Sequence, residues 1–302
     1  MFLDLLLYLL LSHFDAHAYL DNKLFLDLVG IEQEKNIAPK RINPNNLGVE
    51  VTAGNYIAVD LNSGVVLLNK DSVSARPLAS ITKLMTALVI LDYSPQWDAE
   101  VEMNASDETF GAFAHIYRGE NVKFIDLWKS ALITSDNNAI KAMIRALGID
   151  ESDFVLVMNK KAKDLGMNSS TFVDPTGLKE ENAASAEDIA KLISAAMQQN
   201  NIRDVVTQGK YSFQILNKKE IRTIYNTDIL IDSFLNNKEY GYTLIGGKTG
   251  FLPEAGYCLG VEIEKYGRKI IIVVMNSPTI ESRFQDVKVI ADWVFTNYSW
   301  NK

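Results

Sequence analysis

Histidine and cysteine are scarce in this 302-residue chain, which has three His and one Cys. His13 and His17 both lie near the N-terminus, so His115 and Cys258 stand almost alone in the rest. A single cysteine excludes an intrachain disulfide framework. A Cys/His zinc site lacks a full ligand set, and no metal or cofactor is expected. A Ser-His-Asp triad or a Cys-His dyad would have to be built on His115. A hydrolase of this composition therefore takes its general base from Lys, Asp or Glu. A surplus of positive charge is also absent: 30 Lys and Arg face 38 Asp and Glu, for a formal net charge of −8. Nucleic-acid binding relies on Lys and Arg against phosphates, so no nucleic-acid partner is expected. A membrane-spanning run is missing as well. The N-terminal apolar stretch Leu5–Leu11 falls well short of the roughly 20 residues that cross a bilayer.

The remaining composition, 47% hydrophobic and 23% charged, is that of a soluble globular protein with ample core. Leu5–Leu11 is followed by Ala16-His17-Ala18, the layout of an export signal, so residues 1–18 read as a signal peptide. Residues 19–48 read as a lead-in, polar toward its end and carrying Pro39 and Pro44. Residues 49–302 read as one domain. Tyr56–Asp60 and Val65–Asn69 suggest a β-hairpin, and Leu78–Leu91 a helix entered at Pro77. From about residue 100 to 200 the apolar spacing is helical, over Phe124–Leu132, Asn138–Leu147, Asp153–Leu165 and Ser185–Met197. The character then turns to strands: Tyr211–Leu216, Ile221–Tyr225, Tyr242–Gly246, Tyr257–Ile263 and Lys269–Met275. Alternation along Tyr257–Glu264 predicts one buried and one solvated face. Val287–Phe295 closes the chain as an amphipathic helix. This order predicts an α+β fold, an antiparallel sheet carrying a helical insertion.

Three short motifs carry chemistry. Ser80-Ile81-Thr82-Lys83 puts a hydroxyl and an amine on one helix face at i and i+3. Lys83 can take the Ser80 proton if burial lowers its pKa. A Ser and a Lys at this spacing arise by chance on the order of once in such a chain, and Ser299–Lys302 is a second match. Ser135-Asp136-Asn137 offers a proton-passing hydroxyl and a carbonyl-holding amide, though alone it reads as a helix N-cap. Gly246-Gly247-Lys248-Thr249-Gly250 is one residue out of register for a phosphate loop, and Pro253 follows instead of a helix. It reads better as a strand whose glycines admit a ligand backbone, with Lys248 as a fixed cation and Thr249 as a hydroxyl. Ser-x-x-Lys, Ser-Asp-Asn and Lys-Thr-Gly in this order form the set shared by penicillin-binding proteins and class A β-lactamases.

The chain resembles the low-molecular-mass penicillin-binding proteins, the serine D-alanyl-D-alanine carboxypeptidases of peptidase family S11. The likeness spans about residues 50–298. Beyond the three motifs it rests on Arg76–Ala87, Met158–Met167, Phe172–Leu178, Asn226-Thr227 and Arg283-Phe284-Gln285-Asp286. The resemblance implies a β-lactamase/transpeptidase-like fold: a five-stranded antiparallel sheet flanked by helices, with an inserted all-helical subdomain. It implies an acyl-enzyme on Ser80, with Lys83 as base and Ser135 passing a proton to the leaving amine. Asn137 would position substrate and Lys83. Lys248, Thr249 and Gly250 would hold the terminal carboxylate and substrate backbone. The N–H groups of Ser80 and Phe251 would form the oxyanion hole. The implied partners are peptidoglycan stem peptides, with β-lactam antibiotics as covalent inhibitors. The implied location is outside the cytoplasm, periplasmic or at the cell wall, with the N-terminus cleaved or kept as an anchor. No C-terminal membrane anchor is expected. Two alternatives stand beside hydrolysis of the D-Ala-D-Ala bond: endopeptidase cleavage of cross-links, and a β-lactamase. Asp136 favours the β-lactamase. The lack of a Glu along Ser169–Pro175, where those enzymes carry one, opposes it. Cys258 is expected to be a buried structural thiol and His115 to have no role; Arg283 either faces the cleft or pairs with an acid, and the second, structural reading is the expectation.

Overall fold

The computed structural model describes residues 38–109 and 114–300. The expected signal peptide, most of the lead-in and the Lys302 of the second Ser-x-x-Lys match lie outside the described residues. Residues 38–302 fall in one compact unit.

The main sheet has five strands, all antiparallel to their neighbours. In chain order they are β1 (Asn55–Asp60), β2 (Val66–Lys70), and, after the hairpin β3 (Lys210–Ile215) and β4 (Glu220–Tyr225), β5 (Tyr242–Leu252), β6 (Gly256–Lys265) and β7 (Arg268–Ser277). The sheet order is β5-β6-β7-β1-β2, so β5 and β2 are its edges. Among the described residues, the strands of the hairpin β3–β4 pair with each other and with no strand of the main sheet.

The helices are α1 (Thr82–Asp92), α2 (Phe124–Ile133), α3 (Asn137–Ala146), α4 (Glu151–Asp164), α5 (Ala186–Gln198), α6 (Asn200–Val206) and α7 (Ile280–Asn297). Alternation along β6 and β7 feeds two cores. Leu259, Val261, Ile270, Ile272 and Val274 pack with Phe284, Val287, Ile290 and Val294 of α7. Cys258, Ile271, Val273 and Met275 join the larger cluster with α1 to α6. Each such aliphatic side chain, fully buried, contributes about 1.5–3 kcal/mol relative to exposure.

The expected solvated face of β6 is therefore buried. Cys258, Gly260 and Glu262 are buried rather than in water, with Gly260 against Ile189 and Ile193 of α5. Gly260 makes this possible: a Cβ there would come within 3.0 Å of Ile193 Cδ1. Glu262 keeps a partner in Lys269 at 3.4 Å, and burial raises its pKa. The described end of the lead-in is extended and joins the C-terminal segment. Lys40 and Arg41 pair with Ser299 and Tyr298, and Ile42 N donates to Asn297 O at 2.8 Å. The Arg41 guanidinium lies 5.2 Å from the Trp293 ring centre. Its backbone groups thus find strand partners just after α7.

The expected helix Leu78–Leu91 starts later. Ala79–Ile81 form a 3₁₀ turn and α1 begins at Thr82. Ala79 has φ +48°, a left-handed conformation that strains any side chain. Gly177, at φ +84°, presses against this turn, and a Cβ on it would sit 2.1 Å from Ala79 O. Leu78 N donates to Asn182 O at 3.0 Å. The serine thus sits on a sharp turn between strand-like backbone and helix, held from outside.

Candidate active site

The turn aims Ser80 at α1. Lys83, one residue into that helix, is fully buried, and its Nζ lies 2.9 Å from Ser80 Oγ. Two other acceptors flank the same nitrogen: Asn137 Oδ1 at the start of α3, and the carbonyl of Thr176 at 2.7 Å. Burial pushes the Lys83 pKa down to about 7, against the opposing pull of Asp174 and Asp136.

The loop Asp174–Gly177 is the floor of this site. Asp174 Oδ1 accepts from Thr176 N, Thr176 Oγ1 and Gly177 N, and Oδ2 accepts from Lys179 N at 2.9 Å. Burial alone would raise the Asp174 pKa, but these donors bring it below the ordinary value. Asn182 clamps the loop by accepting from Val173 N and Asp174 N and donating to Asp174 O. The Thr176 carbonyl was not among the sequence candidates, because a backbone acceptor leaves no residue code. The Asp-Pro-Thr-Gly turn was its only signal.

The middle motif is both a cap and a site element. Asp136 N-caps α3 by accepting from Ala139 N at 3.1 Å. Its other oxygen accepts from Ser130 Oγ at 3.1 Å and from His115 N at 3.0 Å. That cap sets Asn137 facing Lys83. Ser135 has φ +66°, and its Oγ is buried without a hydrogen-bond partner. His115 is thus tied in through its backbone.

Strand β5 forms the opposite wall. Lys248 is buried, with Nζ donating to Thr249 O at 3.2 Å. Burial drives its pKa well down, helped by the nearby charges of Lys83 and Arg283 and opposed by Asp228. Thr249 Oγ1 lies 2.7 Å from Thr227 Oγ1. Gly250 passes close to the nucleophile turn, where a Cβ would be 2.9 Å from Leu78 O and 3.3 Å from Ser80 N. Phe251 is 48% exposed, at the rim. Asp228, missed in the sequence, is buried and has its pKa pushed up to about 6 by burial, against a bond from Leu230 N and the charges of Arg283 and Lys248.

Ser80, Lys83 and Asn137 are therefore in direct contact, and Thr249 joins Thr227. Neither Ser135 Oγ nor Lys248 Nζ bonds to Ser80 or Lys83. Arg283 departs from expectation. It forms no ion pair among the described residues and instead donates to Gly250 O at 3.1 Å from beneath the strand. Cys258 is buried as expected, with a thiol pKa raised to about 11 by burial. A groove of about 520 Å³ between α5 and the β1–β2 edge carries none of these side chains.

A serine on a strained turn, a buried lysine with a lowered pKa one helical turn away and a facing strand that carries a second buried lysine are the parts that an active-serine hydrolase with a lysine base requires. The family model described as D-alanyl-D-alanine carboxypeptidase, peptidase S11, matches residues 40–279. The D-alanyl-D-alanine endopeptidase of Escherichia coli (strain K12) is 30% identical over 82% of this chain and 78% of its own. The D-alanyl-D-alanine carboxypeptidase DacF of Bacillus subtilis (strain 168) is 30% identical over 82% of this chain and 63% of its own. Among solved structures, the Streptomyces K15 DD-transpeptidase is 28% identical with a TM-score of 0.74, covering 82% of this chain and 99% of that one. Penicillin-binding protein D2 from Listeria monocytogenes in the ampicillin-bound form is 26% identical with a TM-score of 0.70, covering 82% and 99%. The chain belongs to the D-alanyl-D-alanine carboxypeptidase family, peptidase family S11, and is a serine peptidase of the penicillin-binding fold.

Proposed function

We propose that Ser80 opens the D-Ala-D-Ala bond of peptidoglycan stem peptides through an acyl-enzyme, with Lys83 as its base. The observation that carries this is the hydrogen-bond count at Lys83. An ammonium has three N–H donors, and three acceptors surround it. When neutral, it keeps two N–H groups for Asn137 Oδ1 and Thr176 O. Its lone pair then faces Ser80 Oγ, ready to take that proton.

The Ser80 oxygen attacks the carbonyl of the penultimate D-Ala as its proton passes to Lys83. The oxyanion is held by the N–H groups of Ser80 and Phe251, the largest single kind of help such sites give. The C–N bond then breaks. The leaving amine takes the proton back from Lys83, relayed by the Ser135 hydroxyl, whose oxygen has no protein partner. Lys248 and Thr249 hold the carboxylate of the departing residue, and Asn137 holds the substrate backbone. Water attacks the ester as Lys83 takes its proton; the C–O bond to Ser80 then breaks, Ser80 Oγ takes that proton back from Lys83, and the shortened peptide is released. A β-lactam enters by the same attack, but its amine stays tethered.

Deacylation of that adduct is slow on this reading. Asp174, the carboxylate of the floor loop, has both oxygens bound to protein donors and activates no water. This is the argument against a β-lactamase. Incubation with benzylpenicillin followed by intact-mass measurement tests the proposal. One adduct mapping to Ser80 is expected, and a folded protein that stays unmodified overturns it.

A second reading, endopeptidase cleavage of cross-links, is favoured by the relatives. Those from Escherichia coli and Pseudomonas aeruginosa named endopeptidase are matched over 78% of their length, against 63% for the Bacillus subtilis carboxypeptidase. Muropeptide mass spectrometry after digestion separates the two: loss of terminal D-Ala marks one, and loss of dimers the other. Export to the cell-wall side fits the family and the N-terminal apolar run.

A further inference from the structure

Arg283 lies in the first turns of α7, 5% exposed. Its guanidinium is 4.7 Å from the Phe284 ring centre and 5.5 Å from that of Tyr257. Tyr257 in turn stacks on Phe251 with centroids 4.3 Å apart. A buried cation held between two rings is a fixed charge rather than a surface feature. Its hydrogen bond goes to one backbone oxygen, that of Gly250.

That oxygen and the N–H of Phe251 are opposite ends of a single peptide unit. In a planar trans peptide the C=O and N–H point in opposite directions. A cation bound at the oxygen therefore fixes the plane and leaves the N–H aimed the other way. It also draws electron density from the amide, which strengthens the N–H as a donor. The Ser80 N–H lies close by, since a Cβ on Gly250 would sit 3.3 Å from that nitrogen.

We infer that Arg283 is a positioning residue that orients and polarises the Gly250–Phe251 peptide, so that its N–H acts as a preorganised oxyanion donor. This rests on the reading of Ser80 as nucleophile with the Ser80 and Phe251 N–H groups as the oxyanion hole. The Phe251–Tyr257–Arg283–Phe284 stack holds the charge in place, and the neighbouring Asp228 carboxylate balances it.

The test is the infrared carbonyl band of the benzylpenicillin acyl-enzyme, labelled with ¹³C at the reacting carbonyl and recorded native and after unfolding. Hydrogen bonds to a carbonyl lower its frequency, so the native wild-type adduct should absorb below the unfolded one. In Arg283→Met the native band should move back toward the unfolded value. Acylation should slow by about ten- to hundredfold, a fraction of the 10²–10³ that losing a whole donor costs. Arg283→Lys should recover part of the shift. Tyr257→Leu keeps the cation but removes its stacking partner, and should move the band slightly in the same direction. These two variants carry the test if Arg283→Met does not fold. A lowered band in wild type that is unchanged in every folded variant overturns the inference and leaves the Ser80 reading standing. A wild-type band equal to the unfolded one, or no adduct on Ser80, removes the oxyanion reading and the inference together.

Discussion

The two walls of the cleft treat their polar groups in opposite ways. On the nucleophile wall every group is satisfied: Lys83 has three acceptors, Asp174 four protein donors, and Asn182 bonds on both its oxygen and its nitrogen. On the facing side, groups are left open. Lys248 on β5 reaches only the carbonyl of its neighbour, and between the two walls, just ahead of α3, Ser135 Oγ has no partner. A buried polar group without a partner costs roughly 1–3 kcal/mol. Such a cost is tolerated where a ligand will supply the bond. On the proposed function, the saturated wall is the reaction machinery and the open groups receive the substrate carboxylate and amide.

Breaking the saturated wall should do the most damage. Lys83→Ala should slow acylation by benzylpenicillin by about 10²–10⁴, the usual worth of a general base, as read by stopped-flow or gel-based labelling. Ser80→Ala should give no adduct at all. A Lys83→Ala protein that labels at the wild-type rate would erase the distinction between the walls.

Next comes the open wall. Lys248→Ala should lower kcat/KM for D-Ala-D-Ala peptides by about 10–100-fold, the worth of a lost charge-assisted hydrogen bond. The loss should shrink for substrates lacking the terminal carboxylate. An equal loss on both substrates would make Lys248 part of the packing instead.

Gly177→Ala tests the buttress between the floor loop and the nucleophile turn. Left-handed backbone and the approach to Ala79 O should cost about 2–3 kcal/mol of stability, seen as a lower Tm. Gly64 also has positive φ but meets nothing within 4 Å, so Gly64→Ala should cost only about 1 kcal/mol. Equal losses would mean that the turn is not held from the loop.

The smallest effect should come from His115→Ala. The described bond from this residue to Asp136 uses its backbone N–H, which alanine keeps. Labelling rates should stay within about twofold, since a change remote from the chemistry moves a barrier by a few tenths of a kcal/mol.

Much of this could be read from residues. The helix at Ser185–Met197, the hairpin at Tyr56–Asn69 and the strand at Lys269–Met275 arise from short-range sequence pattern, and they stand where expected. The three motifs also located both walls. Three other features depended on partners far along the chain. The exposed-looking face of β6 is covered by α5, which pattern counting on one strand does not see. The turn at Ala79–Ile81 replaces a helix start because Gly177 and Asn182 hold it from some hundred positions away. Arg283 reads as a partner for an acid, whereas its hydrogen bond goes to a carbonyl in β5. The Thr176 carbonyl has no side chain to betray it.

The central claim is that Lys83 works as a neutral base because burial has lowered its pKa. The direct measurement is the pH dependence of the benzylpenicillin acylation rate in wild type and Asp136→Asn. A base must be deprotonated to act, so the rate should climb as pH rises through about 7, where burial has brought Lys83. Asp136 favours the charged form of Lys83, so replacing its carboxylate should move that climb to lower pH. A profile that climbs only near the ordinary lysine range, or one that Asp136→Asn leaves in place, would contradict the account.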